Sequence, residues 1–219
     1  MYQLMQGTYD NVSEEQFHAD LNAKDDVILL YEIKTKTLQG FSTLKNVQLS
    51  CSDRVVEGIF SGDTVISKHF WGGNALGKTF LKYLWLKKMR SPHKPLYWFL
   101  ISKGYKTYLL MANNFSTHYP RYERPTPALV QEIIDTFYKK KYPAFYNMET
   151  GLVVPKGPSC SVKENLAQIS DSLLMNPRID FFVRKNPNWN CGVELACIAE
   201  MTLLMPLYYS IKKFFKGLK

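Results

Sequence analysis

Six apolar residues in unbroken succession, Leu96–Ile101, follow Pro95 and constrain this chain more than any other stretch. A strand with one wet face alternates apolar and polar residues, so an unbroken run fits a strand buried on both faces of its sheet. The residues before it change period. Arg54–Ser67 reads as a long strand interrupted by Gly58 and Gly62, which predicts a bulge or a close backbone approach. Leu76, Phe80, Tyr83 and Leu84 then recur at helical spacing, Lys78 and Lys82 mark a wet stripe, and Pro92 and Pro95 end the helix. Strand, helix and buried strand make a crossover unit whose two strands run parallel.

The flanking segments extend this unit. Val27–Ile33, Gly40–Leu49 and Arg54–Ser67 are joined by short connections and predict an antiparallel meander. Upstream, a short strand is expected at Tyr2–Met5. Ser13–Gln16 has the capping-box form and opens a helix from Glu14 to about Ala23. A helix over Lys103–Ala112 follows the buried run. Further on, Thr126 and Pro127 cap a helix to about Lys141, and residues 142–160 read as a long loop. Ser161–Glu164 opens a short helix, Phe181–Val183 suggests a strand, and a helix with a local fault at Pro206 runs from about Met201 to the end. The expected architecture is α+β: a mixed sheet made of the meander plus the βαβ unit over residues 1–121. A mostly helical extension, residues 122–219, packs on it.

Composition narrows the function. Among 219 residues, 46% are hydrophobic and 21% charged, which excludes a disordered chain. No segment reaches the roughly 20 apolar residues of a membrane span, and the first residues lack a leader's basic head and apolar stretch. Four cysteines, Cys51, Cys160, Cys191 and Cys197, show no paired framework and are expected as buried, reduced thiols of a cytoplasmic protein. The spacing of Cys191 and Cys197 matches no common zinc pattern, so no metal is expected.

The net charge of +9 is uneven: −4 over residues 1–60, +10 over 61–145 and +3 over 146–219. The basic middle favours an anion, whether phosphate, nucleic acid or acidic lipid. Its aromatics sit in apolar runs and not among exposed basic residues, which argues against stacking on nucleic acid. Near the end, Leu203, Leu204, Leu207, Ile211 and Phe215 oppose Lys212, Lys213, Lys216 and Lys219. That is the composition of a helix lying on an anionic membrane surface, or of one docked on the core with a solvated lysine face.

The stretch Trp71–Lys78, a glycine-bearing turn from strand into helix, is the strongest functional signal. Such a turn exposes free amides at the positive end of a helix and suits phosphate. Gly72, Gly77, Lys78 and Thr79 also satisfy the spacing of a Walker loop. An antiparallel meander before the loop, and a following strand that ends in Ser102-Lys103 without an Asp for Mg²⁺, speak against that nucleotide reading.

The order strand, helix, meander, glycine turn, helix, buried strand, helix resembles the GNAT acyltransferase superfamily. Its Gln/Arg-x-x-Gly-x-Gly/Ala motif overlays Gly72–Gly77, with Ala75 and Gly77 in the small positions and Gly72 where Gln or Arg is expected. The resemblance covers residues 1–121. It implies acyl-CoA, acetyl or longer, as the acyl donor. Val65 and Ile66 on the bulged strand, together with Gly72, Gly73, Asn74, Ala75, Leu76, Gly77 and Lys78, would bind it. The acceptor would be a small amine or similar nucleophile of unknown identity. The resemblance further implies Glu57 as base and Tyr108 as acid, with His69 and Tyr105 as substitutes. Each has an ordinary alternative: a paired carboxylate for Glu57, and core packing with a satisfied hydroxyl for Tyr108. The alternative function is a peripheral membrane or lipid-binding module on a catalytically silent scaffold of the same shape.

Overall fold

The computed structural model of the protein describes residues 1–52, 54–155 and 169–208. The chain runs α1 (Tyr2–Thr8), α2 (Glu14–Asn22), β1 (Asp26–Tyr31), β2 (Leu38–Cys51), β3 (Arg54–Ile66), α3 (Ala75–Arg90), β4 (Leu96–Ser102) and α4 (Tyr105–Asn114). It continues with β5 (His118–Tyr119), α5 (Ala128–Lys141), β6 (Tyr146–Asn147), β7 (Leu152–Val153), α6 (Asp171–Leu174), α7 (Pro177–Lys185) and β8 (Glu194–Met201). The fold is α+β around one mixed sheet of order β1-β2-β3-β4-β8-β7-β6, with β5 on β8. The meander β1-β2-β3 is antiparallel, β3 and β4 are parallel, and α3 is the crossover between them, as the periodicity predicts.

Both sheet faces are covered, which is why β4 has no polar alternation. Trp98 and Leu100 pack with Phe80 and Leu84 of α3, Tyr108 and Met111 of α4, and Phe182 of α7. Tyr97 and Phe99 pack the other way, against Phe137 and Tyr138 of α5, with Phe99 and Phe137 stacked at 4.1 Å between ring centres. On β2, Val47 and Leu49 face α5. Phe41 shares their parity, so α1 and α2, which bury Met5 and Phe17 against Phe41 and Val65, cover the α5 face further along.

Four expectations change. Tyr2–Met5 belongs to helix α1, not a strand. Phe181–Val183 lies inside α7, where Asn176 accepts from the Arg178 amide and Pro177 sits in the first turn, a start signal that outweighs three β-prone residues. The long loop contains the short β6–β7 pair. Finally, β8 takes the place beside β4, antiparallel from Leu96↔Met201 to Ser102↔Leu195. The segment after residue 121 therefore contributes a central strand in addition to its helices. Cys51 and Cys197 are buried as expected, whereas Cys191 is exposed and not buried. Cys160, the helix expected at Ser161–Glu164 and the chain beyond Tyr208 lie outside the described residues.

Two buried polar groups carry testable consequences. The Tyr138 hydroxyl lies 2.9 Å from the Leu100 carbonyl and 2.8 Å from that of Cys197. It thereby braces β4 against β8 where β4 last pairs with β3, at Ser61↔Leu100. Tyr138→Phe removes this shared donor from the two carbonyls and lowers the unfolding free energy in urea by about 0.5–1.5 kcal/mol.

His118 is 1% exposed, with Nδ1 3.0 Å from the Phe115 carbonyl and Nε2 unpaired. Burial pulls its pKa down from 6.5 to about 4. A base depressed in the fold stabilises above its unfolded pKa and loses that contribution as acid forces the proton on. The protein therefore loses roughly 3 kcal/mol through this group between pH 6.5 and 4, and His118→Gln removes that part of the slope in urea titrations at each pH.

Candidate active site: a cavity where two strands part

β3 and β4 pair only from Glu57↔Leu96 to Ser61↔Leu100. Beyond that point β3 stays with β2 as far as Gly40↔Ile66, and β4 stays with β8 through Ser102↔Leu195. The two strands separate, and the β3 edge from Gly62 to Ile66 faces an opening and not a neighbour. A bulge marks the start of the separation. Ser42 pairs with Thr64 and Leu44 with Ser61, so Gly62 and Asp63 together oppose Thr43. The bulge is a place of close approach: a Cβ on Gly62 would stand 2.6 Å from Thr43 Oγ1 and 2.7 Å from Lys24 Cε, so those side chains would have to shift.

A cavity of about 930 Å³ fills the opening, at the upper end of the roughly 300–1,000 Å³ usual for ligand sites. It passes through the sheet. One half lies between α3 and α4 and is lined by Leu76, Phe80, Trp98, Tyr105 and Leu110; the other lies under α2 and the end of α5, with Asp20, Lys24, Lys141 and Tyr142. Trp98 floors it, its indole N–H donating to Ser61 Oγ at 2.8 Å. At the α3 mouth the turn is set by Gly72 at φ +81°. Trp71 folds back so that its indole donates to the Ile66 carbonyl at 2.8 Å, under the Lys106 ammonium 4.6 Å from its ring.

The start of α3 opens into this mouth. The first amides of a helix have no partner within it, the Asn74 side chain caps none of them, and the first turn holds no acid. Nothing lies within 4 Å of where a Cβ on Gly77 would stand, and Gly77 lines the cavity. The backbone is bare where a phosphate would approach it. Of the donor residues expected from sequence, Val65, Ile66, Gly72, Gly73, Asn74, Leu76 and Gly77 line the cavity; Ala75 and Lys78 do not. A Walker lysine would reach into such a site, whereas Lys78 is exposed and outside it.

The two expected catalytic side chains are not brought together. Glu57 sits at the opposite end of β3, 2.9 Å from Lys94, and does not line the cavity. Tyr108 is fully buried, donates to the Pro120 carbonyl at 3.0 Å and is held well above the usual tyrosine range by burial. It lies outside the cavity, as does His69, whereas Tyr105 lines it. The residue that sequence reasoning missed is Asp63, which the bulge turns into the cavity. Burial raises its pKa above 3.8, against the pull of the nearby Lys24. Glu194, also in the lining, is raised by burial and held by Lys103 at 3.4 Å. Desolvation, then Glu57, acts on Lys87 outside the site; within it, desolvation and then Lys24 hold Lys141 below the ordinary lysine value. Among the described residues no group of His, Cys, Asp and Glu side chains could hold a metal ion, and no helix is long and apolar enough to cross a membrane.

No family model matches the chain, and no curated protein matches it. Among solved structures it is similar to the AtaT toxin bound to the C-terminus of the antitoxin AtaR, at 12% identity and a TM-score of 0.32, over 40% of this chain and 54% of that one. A second AtaT structure, which also holds acetyl-CoA, aligns over 35% of this chain and 48% of that one at 11% identity and a TM-score of 0.29. The chain thus spans about half the length of the AtaT structures it matches. The KacTA–DNA complex aligns at 16% identity and a TM-score of 0.36 over 52% and 77% of the two chains. A variant of the BH1408 protein from Bacillus halodurans aligns at 13% and 0.37 over 54% and 74%. At these identities and scores the likeness assigns neither activity nor ligand to this chain.

Proposed function

We propose that the protein is an acyl-CoA-dependent acyltransferase of GNAT-like architecture that acylates an amine. One observation carries this reading. The cavity joins three features a thioester transfer needs: bare helix amides at one mouth, an unpaired strand edge along its length, and a half-buried carboxylate at a bulge in its middle. The amides at the start of α3 suit the diphosphate, and the β3 edge offers backbone groups to the amides of a pantetheine arm. Bound acyl-CoA supplies an activated thioester carbonyl. The acceptor nitrogen forms the new bond to that carbon, the carbon–sulfur bond breaks, and the products are an amide and free CoA.

Asp63 takes the proton from the acceptor nitrogen, a role that its raised pKa favours. Tyr105, at the first turn of α4 on the donor side, gives the leaving sulfur its proton. Thermal unfolding with CoA, acetyl-CoA, a longer acyl-CoA and ATP with Mg²⁺ tests the reading. CoA at about 100 times its dissociation constant adds about 2.7 kcal/mol of stability, and release of free thiol from acyl-CoA depends on an added amine. A shift with ATP alone, or none with any CoA, overturns it.

A further inference from the structure

The half of the cavity under α2 and α5 holds an arrangement that the transfer chemistry does not use. Lys24 lies against the bulge, with its Nζ 3.1 Å from where a Cβ on Gly62 would stand. Lys141 reaches from the end of α5 to place its Nζ 4.6 Å over the Phe60 ring. Gly62 and Phe60 lie one and three residues before Asp63 on one strand, at ~3.3 Å per residue, and both ammonium groups act on its carboxylate. Lys103, also in the lining, has its counter-ion in Glu194 at 3.4 Å. Lys24 and Lys141 make no such contact: among the described residues no carboxylate lies within 4.0 Å of either, Asp63 acts on both only from further off, and Lys24 donates to the backbone carbonyl of Asp20 at 3.1 Å. Two like charges stand beside an apolar ring and the Asp63 carboxylate, and neither is in ion-pair contact among the described residues.

Resting on the acyltransferase reading, we propose that the acceptor is an amine carrying an anionic group, a carboxylate or a phosphate, which Lys24 and Lys141 hold while its nitrogen faces Asp63. Charge complementarity selects this class. The lining carries four lysines, Lys24, Lys103, Lys106 and Lys141, against the three acids Asp20, Asp63 and Glu194, so the pocket has one positive charge in excess, and an amine that also carries an anion brings each of its charges opposite a complement. A polyamine would set its extra cations against both lysines, which rejects it by repulsion.

The test is thiol release from acetyl-CoA by the full-length protein with glycine, O-phosphoethanolamine, ethanolamine and putrescine as acceptors, with CoA affinity measured in parallel. Charged hydrogen bonds of about 1.5–3 kcal/mol predict that glycine or phosphoethanolamine exceeds ethanolamine in kcat/KM by roughly 10- to 100-fold. A preference for glycine assigns a carboxylate, and one for phosphoethanolamine a phosphate. In Lys24→Met/Lys141→Met that ratio falls toward one, and CoA affinity reports whether the variant is folded. Ethanolamine or putrescine used as well as the anionic amines overturns the inference and leaves the acyltransferase reading standing. CoA binding without turnover of any of the four also overturns it. Absence of CoA binding together with absence of thiol release overturns both.

Discussion

Asp63→Asn lowers kcat for acyl transfer by about 10²- to 10⁴-fold, the usual worth of a positioned general base, and makes the folded protein more stable at neutral pH. The two effects have one origin. Asp63 sits in a cavity whose walls raise its pKa above 3.8, so the folded chain binds the carboxyl proton more tightly than the unfolded chain does. Between the ordinary carboxylate value and the raised one the native state therefore holds more protons, and stability falls as pH rises through that window. Asparagine keeps the shape and cannot ionise, so the variant lacks that loss. In a pH–rate profile the acidic limb of kcat/KM lies above the ordinary carboxylate range in the wild type and disappears in Asp63→Asn. Steady-state thiol release and urea denaturation at several pH values read both effects. A variant with wild-type kcat removes Asp63 from the mechanism.

Substitutions at Gly77 have effects of opposite sign on stability and on binding. Open space surrounds this position in the first turn of α3, so Gly77→Ala meets no clash and gains about 0.5–1 kcal/mol of helix stability. Gly77→Glu is also tolerated by the fold, since an acid near a helix start is favourable. Its carboxylate, however, occupies the bare amides that would receive a phosphate. CoA affinity then falls by roughly 10- to 100-fold, the range for lost charge-assisted contacts, while the denaturation midpoint without ligand holds or rises. Titration calorimetry and urea denaturation on the same preparations separate the two. Unchanged CoA affinity in Gly77→Glu means that the start of α3 does not bind the donor.

The core of the fold was legible because its signals are local. The period change around residue 70, the six-residue apolar run and the proline stop fix β3, α3 and β4 without knowledge of their neighbours. β8 was not legible for the converse reason. Leu195-Ala-Cys-Ile-Ala199 is small and apolar with few β-branched residues, and only its docking between β4 and β7 makes it a strand. The glycines at the turn and at the bulge line the cavity, and Gly62 stands next to Asp63 in the sequence. Choosing Asp63 over Glu57 required the register of β2 against β3, where the extra residue opposite Thr43 turns the carboxylate into the cavity. Tyr105 and Tyr108 share a helix face three residues apart. Depth separates them: Tyr108 ends on the Pro120 carbonyl, whereas Tyr105 reaches the cavity wall.

The position of β8 bears on how the chain is made. Leu96–Ser102 cannot acquire its second hydrogen-bonded neighbour until Leu195–Met201 has left the ribosome, at roughly 5–20 residues per second. For those seconds the most apolar strand of the protein presents an open edge, which is the surface that chaperones recognise and that aggregates recruit. A chain halted at residue 121 retains the glycine turn and the bulge but is left with that edge permanently bare. It is expected in inclusion bodies, whereas co-expression of residues 122–219 as a separate polypeptide recovers soluble protein by strand complementation.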